Sequence, residues 1–136
     1  LFINDLPLKI GTKVSSTDLY ADDNTLSEMG KTKTVLQNNL QHALNRLQVW
    51  CKENSMIINT EKMKALLVIT QQKQARLDSN KLQVLFDNVS LNMISQDKIL
   101  GVFIDNNLTW SIHTKHISKK VNSYLWPLRK VKTYIP

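Results

Sequence analysis

Cysteine is almost missing from this sequence: Cys51 stands alone in 136 residues. A single thiol excludes an internal disulfide and a thiolate-only metal cluster, which suits a reducing compartment. Glycine and proline number three each, too few for a collagen-like or low-complexity chain, and no internal repeat is visible. No apolar run approaches the roughly 18 residues of a membrane span, and the opening LFINDLPLKI carries an acid rather than a basic leader before its apolar positions. The expectation is a soluble intracellular protein, nuclear or cytoplasmic, with no membrane partner. The sequence starts at Leu1 rather than Met and is expected to be cut from a longer protein.

What is present is an ordinary globular balance, 42% hydrophobic and 21% charged residues, enough for one folded domain with a core. The charge is unevenly placed. Residues 111–136 contain no acid and hold Lys115, Lys119, Lys120, Arg129, Lys130 and Lys132, carrying +6 of the net +7 and leaving +1 for residues 1–110. Such a segment suits a polyanion, because each phosphate it neutralises releases condensed counterions. A solvated helix face is the alternative, and charge alone does not choose between them.

Periodicity supplies the elements. Residues 14–20 read as a short strand, ADDN as a turn, and Thr25 and Leu26 as the start of a returning strand. From 32 to 53, Leu36, Leu40, Leu44, Leu47 and Cys51 keep one face of a long helix apolar, with Asn54 as a left-handed stop. ALLVIT at 65–70 reads as a buried strand, QQKQARLDSNK as a loop, and LQVLF from Leu82 as a strand whose alternation Leu85 breaks. KILGVFID at 98–105 reads as one more strand, with Gly101 marking a bulge or a close backbone approach. Residues 112–131 read as a helix with Ile117, Val121, Tyr124, Leu125 and Leu128 on a stripe, and Pro127 is expected to kink it or end it near Trp126.

Asp22 and Asp23 are adjacent at the first turn. Like charges side by side repel, and neither gains a partner from the other. A divalent cation removes the objection: Mg²⁺ takes hard oxygen ligands, and two such ions hold the attacking and leaving oxygens of a phosphoryl transfer. Aspartate is also favoured at turns for its local hydrogen bonds, so the pair by itself leaves both readings open. Other residues carry similar pairs of readings. Trp50 and Trp110 are base-stacking or packed indoles, and Cys51 reads as core. His113 and His116 have a ligand-compatible spacing but no Cys or acidic partner, which favours a solvated or phosphate-contacting pair over zinc. Asp105 reads as the cap of a turn with Asn106 and Asn107.

The segments LYADDNTL, LQVWCKENSMIINTEKMKALLV and KILGVFIDNNLTWSIHTKHISKKV, in that order, resemble the back half of a reverse transcriptase domain from a non-LTR (LINE-like) retrotransposon. The resemblance implies an α+β fold: part of a polymerase palm at 1–110, an antiparallel sheet remnant with a YADD hairpin and one long packed helix, followed by the first thumb helix at 111–136. It implies that Asp22 and Asp23 hold Mg²⁺, two ions in the complete enzyme, and that Lys62 stands near the incoming nucleotide, with Lys64 a competing choice. It implies that residues 100–113 resemble the strand pair gripping the primer terminus. The partners implied are an RNA template, a DNA primer and deoxynucleoside triphosphates, with Lys115, Lys119, Lys120, Arg129 and Lys130 meeting the nucleic-acid backbone. The upstream aspartate motif and the nucleotide-selecting motif of that family are not in this sequence, so the N-terminal half of the palm and the fingers are missing and the chain alone is expected to be inactive. The alternative is a non-catalytic nucleic-acid-binding remnant of a retroelement.

Overall fold

Two short elements precede the helix expected at 32–53. In the computed structural model, which describes residues 5–10, 16–20, 23–74 and 82–132, helix α1 occupies Leu6–Ile10. Pro7 lies in its first turn, where a missing N–H costs nothing. Strands β1 (Ser16–Tyr20) and β2 (Asp23–Ser27) pair antiparallel, with Tyr20 opposite Asp23 and Ser16 opposite Ser27.

Helix α2 runs Lys33–Glu53. Thr32 caps its start, its hydroxyl oxygen accepting from the Val35 N–H at 3.3 Å, which gives a partner to one of the donors a helix start leaves free. Just ahead, a Cβ on Gly30 would stand 2.7 Å from the Leu36 nitrogen, so the chain enters the helix too closely for any side chain there. At the far end the left-handed residue is Ser55 (φ 54°), not Asn54, whose φ of −99° is on the ordinary side. Asn54 stays with the helix because its side-chain amide donates to the Trp50 carbonyl at 2.9 Å. The turn then closes with Met56 N–H on Cys51 O at 2.8 Å and Ser55 N–H on Lys52 O at 3.3 Å, the paired bonds of a Schellman ending.

A 3₁₀ turn at Thr60–Lys62 follows, then β3 (Lys64–Leu66), helix α3 (Gln71–Gln74), β4 (Leu85–Phe86), β5 (Val89–Ser90), β6 (Asn92–Ile94), β7 (Gln96–Ile99), β8 (Val102–Asp105) and α4 (Ser111–Lys132). The strands pair two by two, β3 with β6, and as antiparallel hairpins β4 with β5 and β7 with β8. The fold is mixed α/β, with small antiparallel sheets and a long C-terminal helix. It divides into two compact units, Leu1–Lys64 with Ser79–Asn92, and Ala65–Asp78 with Met93–Pro136.

The apolar core belongs to the first unit. Leu6 and Ile10 of α1 and Ala43, Leu44, Leu47, Trp50 and Cys51 of α2 are buried, together with Leu82, Val84, Phe86 and Leu91. Leu82, Val84 and Phe86 keep a strict alternation, and Leu85 does not break it: the residue points outward, 45% exposed. Its backbone is held by α2, where Gln41 donates its amide to Leu85 O at 2.8 Å and accepts from Leu85 N–H at 2.9 Å, standing in for a neighbouring strand. One turn-pair further on, Gln48 donates to Asp87 at 2.7 Å.

Further sequence expectations change in the structure. ALLVIT is not a buried strand: β3 ends at Leu66, Val68 is 44% exposed, and the Ile69 N–H bonds Asn106 O at 3.0 Å rather than a strand partner. The following stretch opens with α3 instead of a loop. KILGVFID is a hairpin, because Leu100 (φ 47°) and Gly101 (φ 89°) both take left-handed backbone, as a two-residue type I′ turn requires. Nothing lies within 4 Å of a Cβ at Gly101, so its conformation and not a close approach calls for glycine. Helix α4 continues past Pro127 to Lys132, so the proline does not end it near Trp126; Ser123, whose carbonyl the proline leaves without a donor, is on an exposed stretch where water serves it.

The other left-handed turn, Asp87 (φ 51°) and Asn88 (φ 63°) between β4 and β5, uses residues that tolerate this backbone, whereas Leu100 does not. Leu100 is 60% exposed and contributes little packing. Leu100→Asn is therefore expected to stabilise the chain by about 0.5–1 kcal/mol, read as a rise in the urea midpoint at unchanged m-value.

Candidate functional site

The β1–β2 hairpin carries the first candidate group. Its register places Tyr20 and Asp23 opposite each other, so in the sequence only Ala21 and Asp22 connect the strands. Asp22 lies outside the described residues. Asp23 begins β2 and is exposed. Alternation along the paired strands puts Asp18, Tyr20, Asp23 and Thr25 on one face, since Asp18 is opposite Thr25. Asp18, exposed and accepting from the Ser16 hydroxyl at 3.4 Å, thus shares a face with Asp23. The sequence reading did not single it out, because with ADDN as the turn the register that puts the two on one face is not visible. Carboxylate oxygens on this face are hard donors of the kind Mg²⁺ takes. Among the described residues no group of three or more His, Cys, Asp or Glu side chains is placed to hold a metal ion.

Lys62 ends the 3₁₀ turn. The turn forms because the Asn59 side chain accepts from the Glu61 N–H at 3.0 Å, and the Lys62 N–H reaches Asn59 O at 3.2 Å. Lys62 and Lys64 are both exposed. No contact between the Lys62 and Asp23 side chains is present among the described residues. Cys51 is buried, and burial pushes its thiol above the ordinary range, which makes it a core residue and not a nucleophile. Trp50 is likewise packed, 3% exposed, with its indole N–H donating to Asp5 at 3.3 Å; Trp110 is 48% exposed.

In the second unit, helix α4 presents Lys115, Lys119, Lys120, Arg129 and Lys130, all exposed. Its stripe of Ile117, Val121, Tyr124, Leu125 and Leu128 is exposed too, from 38% at Leu125 to 65% at Tyr124 and Leu128, rather than turned onto a core. Its first turns are anchored. The Phe103 N–H donates to His113 Nδ1 at 3.4 Å, and the Phe103 and His116 rings meet with centroids 4.9 Å apart. The two histidines therefore engage β8 instead of standing as a free pair in solvent.

Asp105 fastens the entry to α4. Its carboxylate accepts from the N–H of Asn107 at 3.0 Å, the N–H of Thr109 at 3.1 Å and the Thr109 hydroxyl at 2.8 Å, the turn expected of it. These bonds favour the ionised form. The Thr109 backbone bond foremost, then the Thr109 hydroxyl, hold the Asp105 carboxyl below the usual carboxylate range. Asp105 is also the buried charged residue of the described chain, in a unit where no apolar side chain among the described residues is fully buried. Because the folded pKa is depressed, the unfolded chain binds the proton more readily, and the contribution is complete above the unfolded value and disappears as pH falls through the folded one. Acid titration followed by β7–β8 and α4 amide signals is expected to show loosening below about pH 4, with Asp105→Ala flat over that window.

No described helix is long and apolar enough to cross a membrane. No family model, curated protein or solved structure matches the chain.

Proposed function

We propose that the chain is part of an RNA-directed DNA polymerase of the non-LTR retrotransposon kind, its residues 1–110 belonging to the palm and 111–136 to the start of the thumb. The observation that carries the reading is the tight β1–β2 hairpin, in which the YADD tetrapeptide supplies the connection and leaves Asp23 exposed at its end. The α4 bases support it, since an acid-free helix suits the backbone of a template–primer hybrid. In the complete enzyme Asp22 and Asp23 would hold Mg²⁺, which supplies charge neutralisation at the attacking and leaving oxygens of nucleotidyl transfer. Lys62 would steady the charge of the departing pyrophosphate from an exposed turn.

The test is the reading frame upstream of the Leu1 codon. An open frame with a further aspartate-bearing strand motif, whose product extends a DNA primer on an RNA template in Mg²⁺, is the expected result. A stop codon immediately upstream would favour the second reading, a nucleic-acid-binding remnant without catalysis, for which α4 alone provides the surface.

A further inference from the structure

We propose that the face of α4 centred on Trp126 binds single-stranded nucleic acid by stacking an unpaired base on the indole; this rests on the nucleic-acid role proposed above and adds to it a site that touches bases. Residues 4, 7 and 11 apart on a helix share a face. Lys115, Lys119, Trp126 and Lys130 follow that spacing, and Arg129 adjoins them one turn from Trp126. The apolar stripe of Ile117, Val121, Leu125 and Leu128 runs along a different side, so Trp126 is not a member of it. Trp126 is 60% exposed: it sits in a field of cations, without the packing that normally retains an indole.

The Lys130 ammonium stands 4.1 Å from the centroid of the Trp126 ring. The ammonium lies over one face of the indole, which braces the ring in one orientation and leaves the opposite face to receive a base. A braced, largely exposed ring flanked by bases is the arrangement that grips a single strand, with the cations following phosphates and the ring receiving a base. Paired bases inside a duplex present edges and not faces, so the ring selects unpaired nucleotides. It does so with little regard to base identity, because every base has a π-face. Lys120, next to Lys119 in sequence, is rotated away from this face by the helix and serves phosphate contacts only.

The experiment titrates the 136-residue chain into a labelled oligo(dT) and a labelled RNA·DNA hybrid of equal length, reading fluorescence anisotropy at several salt concentrations. Trp126→Ala is expected to weaken oligo(dT) binding about 5- to 150-fold, leaving hybrid binding and the salt slope as in the wild type, while Trp126→Phe retains most of the affinity. Lys119→Ala is expected to lower the salt slope by about one phosphate for both probes. A second reading needs no alanine variant: in Trp110→Phe, where Trp50 stays buried, oligo(dT) quenches the indole emission, and in Trp110→Phe with Trp126→Phe it does not. Oligo(dT) affinity unchanged in Trp126→Ala, or equal losses for both probes, overturns the stacking site and leaves the nucleic-acid role standing. A wild-type chain that binds neither probe overturns that role as well.

Discussion

The 136-residue chain alone is expected to extend no primer, and the longer protein proposed to contain it is expected to lose about three orders of magnitude of extension when Asp22 or Asp23 becomes asparagine. An amide keeps the volume of the carboxylate and removes its charge, so the hairpin of β1 and β2 still forms while the donor set proposed for Mg²⁺ would lose an anion. A bound metal ion is worth several kcal/mol of transition-state stabilisation, and each 1.36 kcal/mol is a tenfold change in rate. Hybrid binding by α4 is expected to survive both substitutions, because Asp23 and α4 belong to different units of the chain. Primer extension on an RNA template, with hybrid binding measured in parallel, separates the outcomes. Extension by the isolated chain, abolished in Asp22→Asn, would show that the site is complete without upstream residues. Full activity of the longer protein carrying Asp23→Asn would remove Asp23 from the site.

The elements legible in the sequence are those whose signals are local. Helix α2 was readable from its apolar spacing, and its observed span Lys33–Glu53 matches the expected 32–53. The β1–β2 hairpin followed from ADDN, and α4 from its stripe and length. Strands of two or three residues such as β5 and β6 are too short to show a period, so they were not seen. The type I′ turn at Leu100 and Gly101 was hidden because leucine gives no warning of left-handed backbone. The Gln41 clamp on Leu85 joins residues 44 apart in sequence, and no local pattern encodes it.

The candidate site was legible to a similar depth. Asp23 is exposed at the hairpin, but it begins β2 opposite Tyr20, whereas the turn signal placed it in the connection, and Asp105 caps its turn through Asn107 and Thr109. The helical stripe of α4 was visible, but its exposure was not, since periodicity states which residues share a face and nothing about what covers it. The same limit hid Trp126: helical spacing places it among Lys115, Lys119 and Lys130, and only the cation–π contact with Lys130 marks the indole as an oriented member of that face.

Trp50→Ala is expected to destabilise the first unit by about 3–5 kcal/mol, the largest loss of any single core truncation in the chain. Trp50 lies in the last turns of α2, 3% exposed, at the end of a helix that packs against α1. Truncation removes the bulkiest side chain of that core and leaves a void that the other core side chains, Leu44, Leu47 and Ile10 among them and already buried, have no spare volume to fill. The indole also ties α2 to the residue ahead of α1 through Asp5; Asp5 is exposed, so after truncation water serves its carboxylate and little is lost there. Trp50→Phe, which keeps the ring and drops the N–H, is accordingly expected to cost much less than alanine. Domain stabilities are about 5–15 kcal/mol, so the alanine variant is expected to be partly unfolded under conditions where the phenylalanine variant is not. Urea unfolding followed by circular dichroism at the helix band decides it without relying on the fluorescence of the residue removed. Equal midpoints for the alanine variant and the wild type would mean that α1 does not pack on α2 in solution, and with it would fall the core described for the first unit.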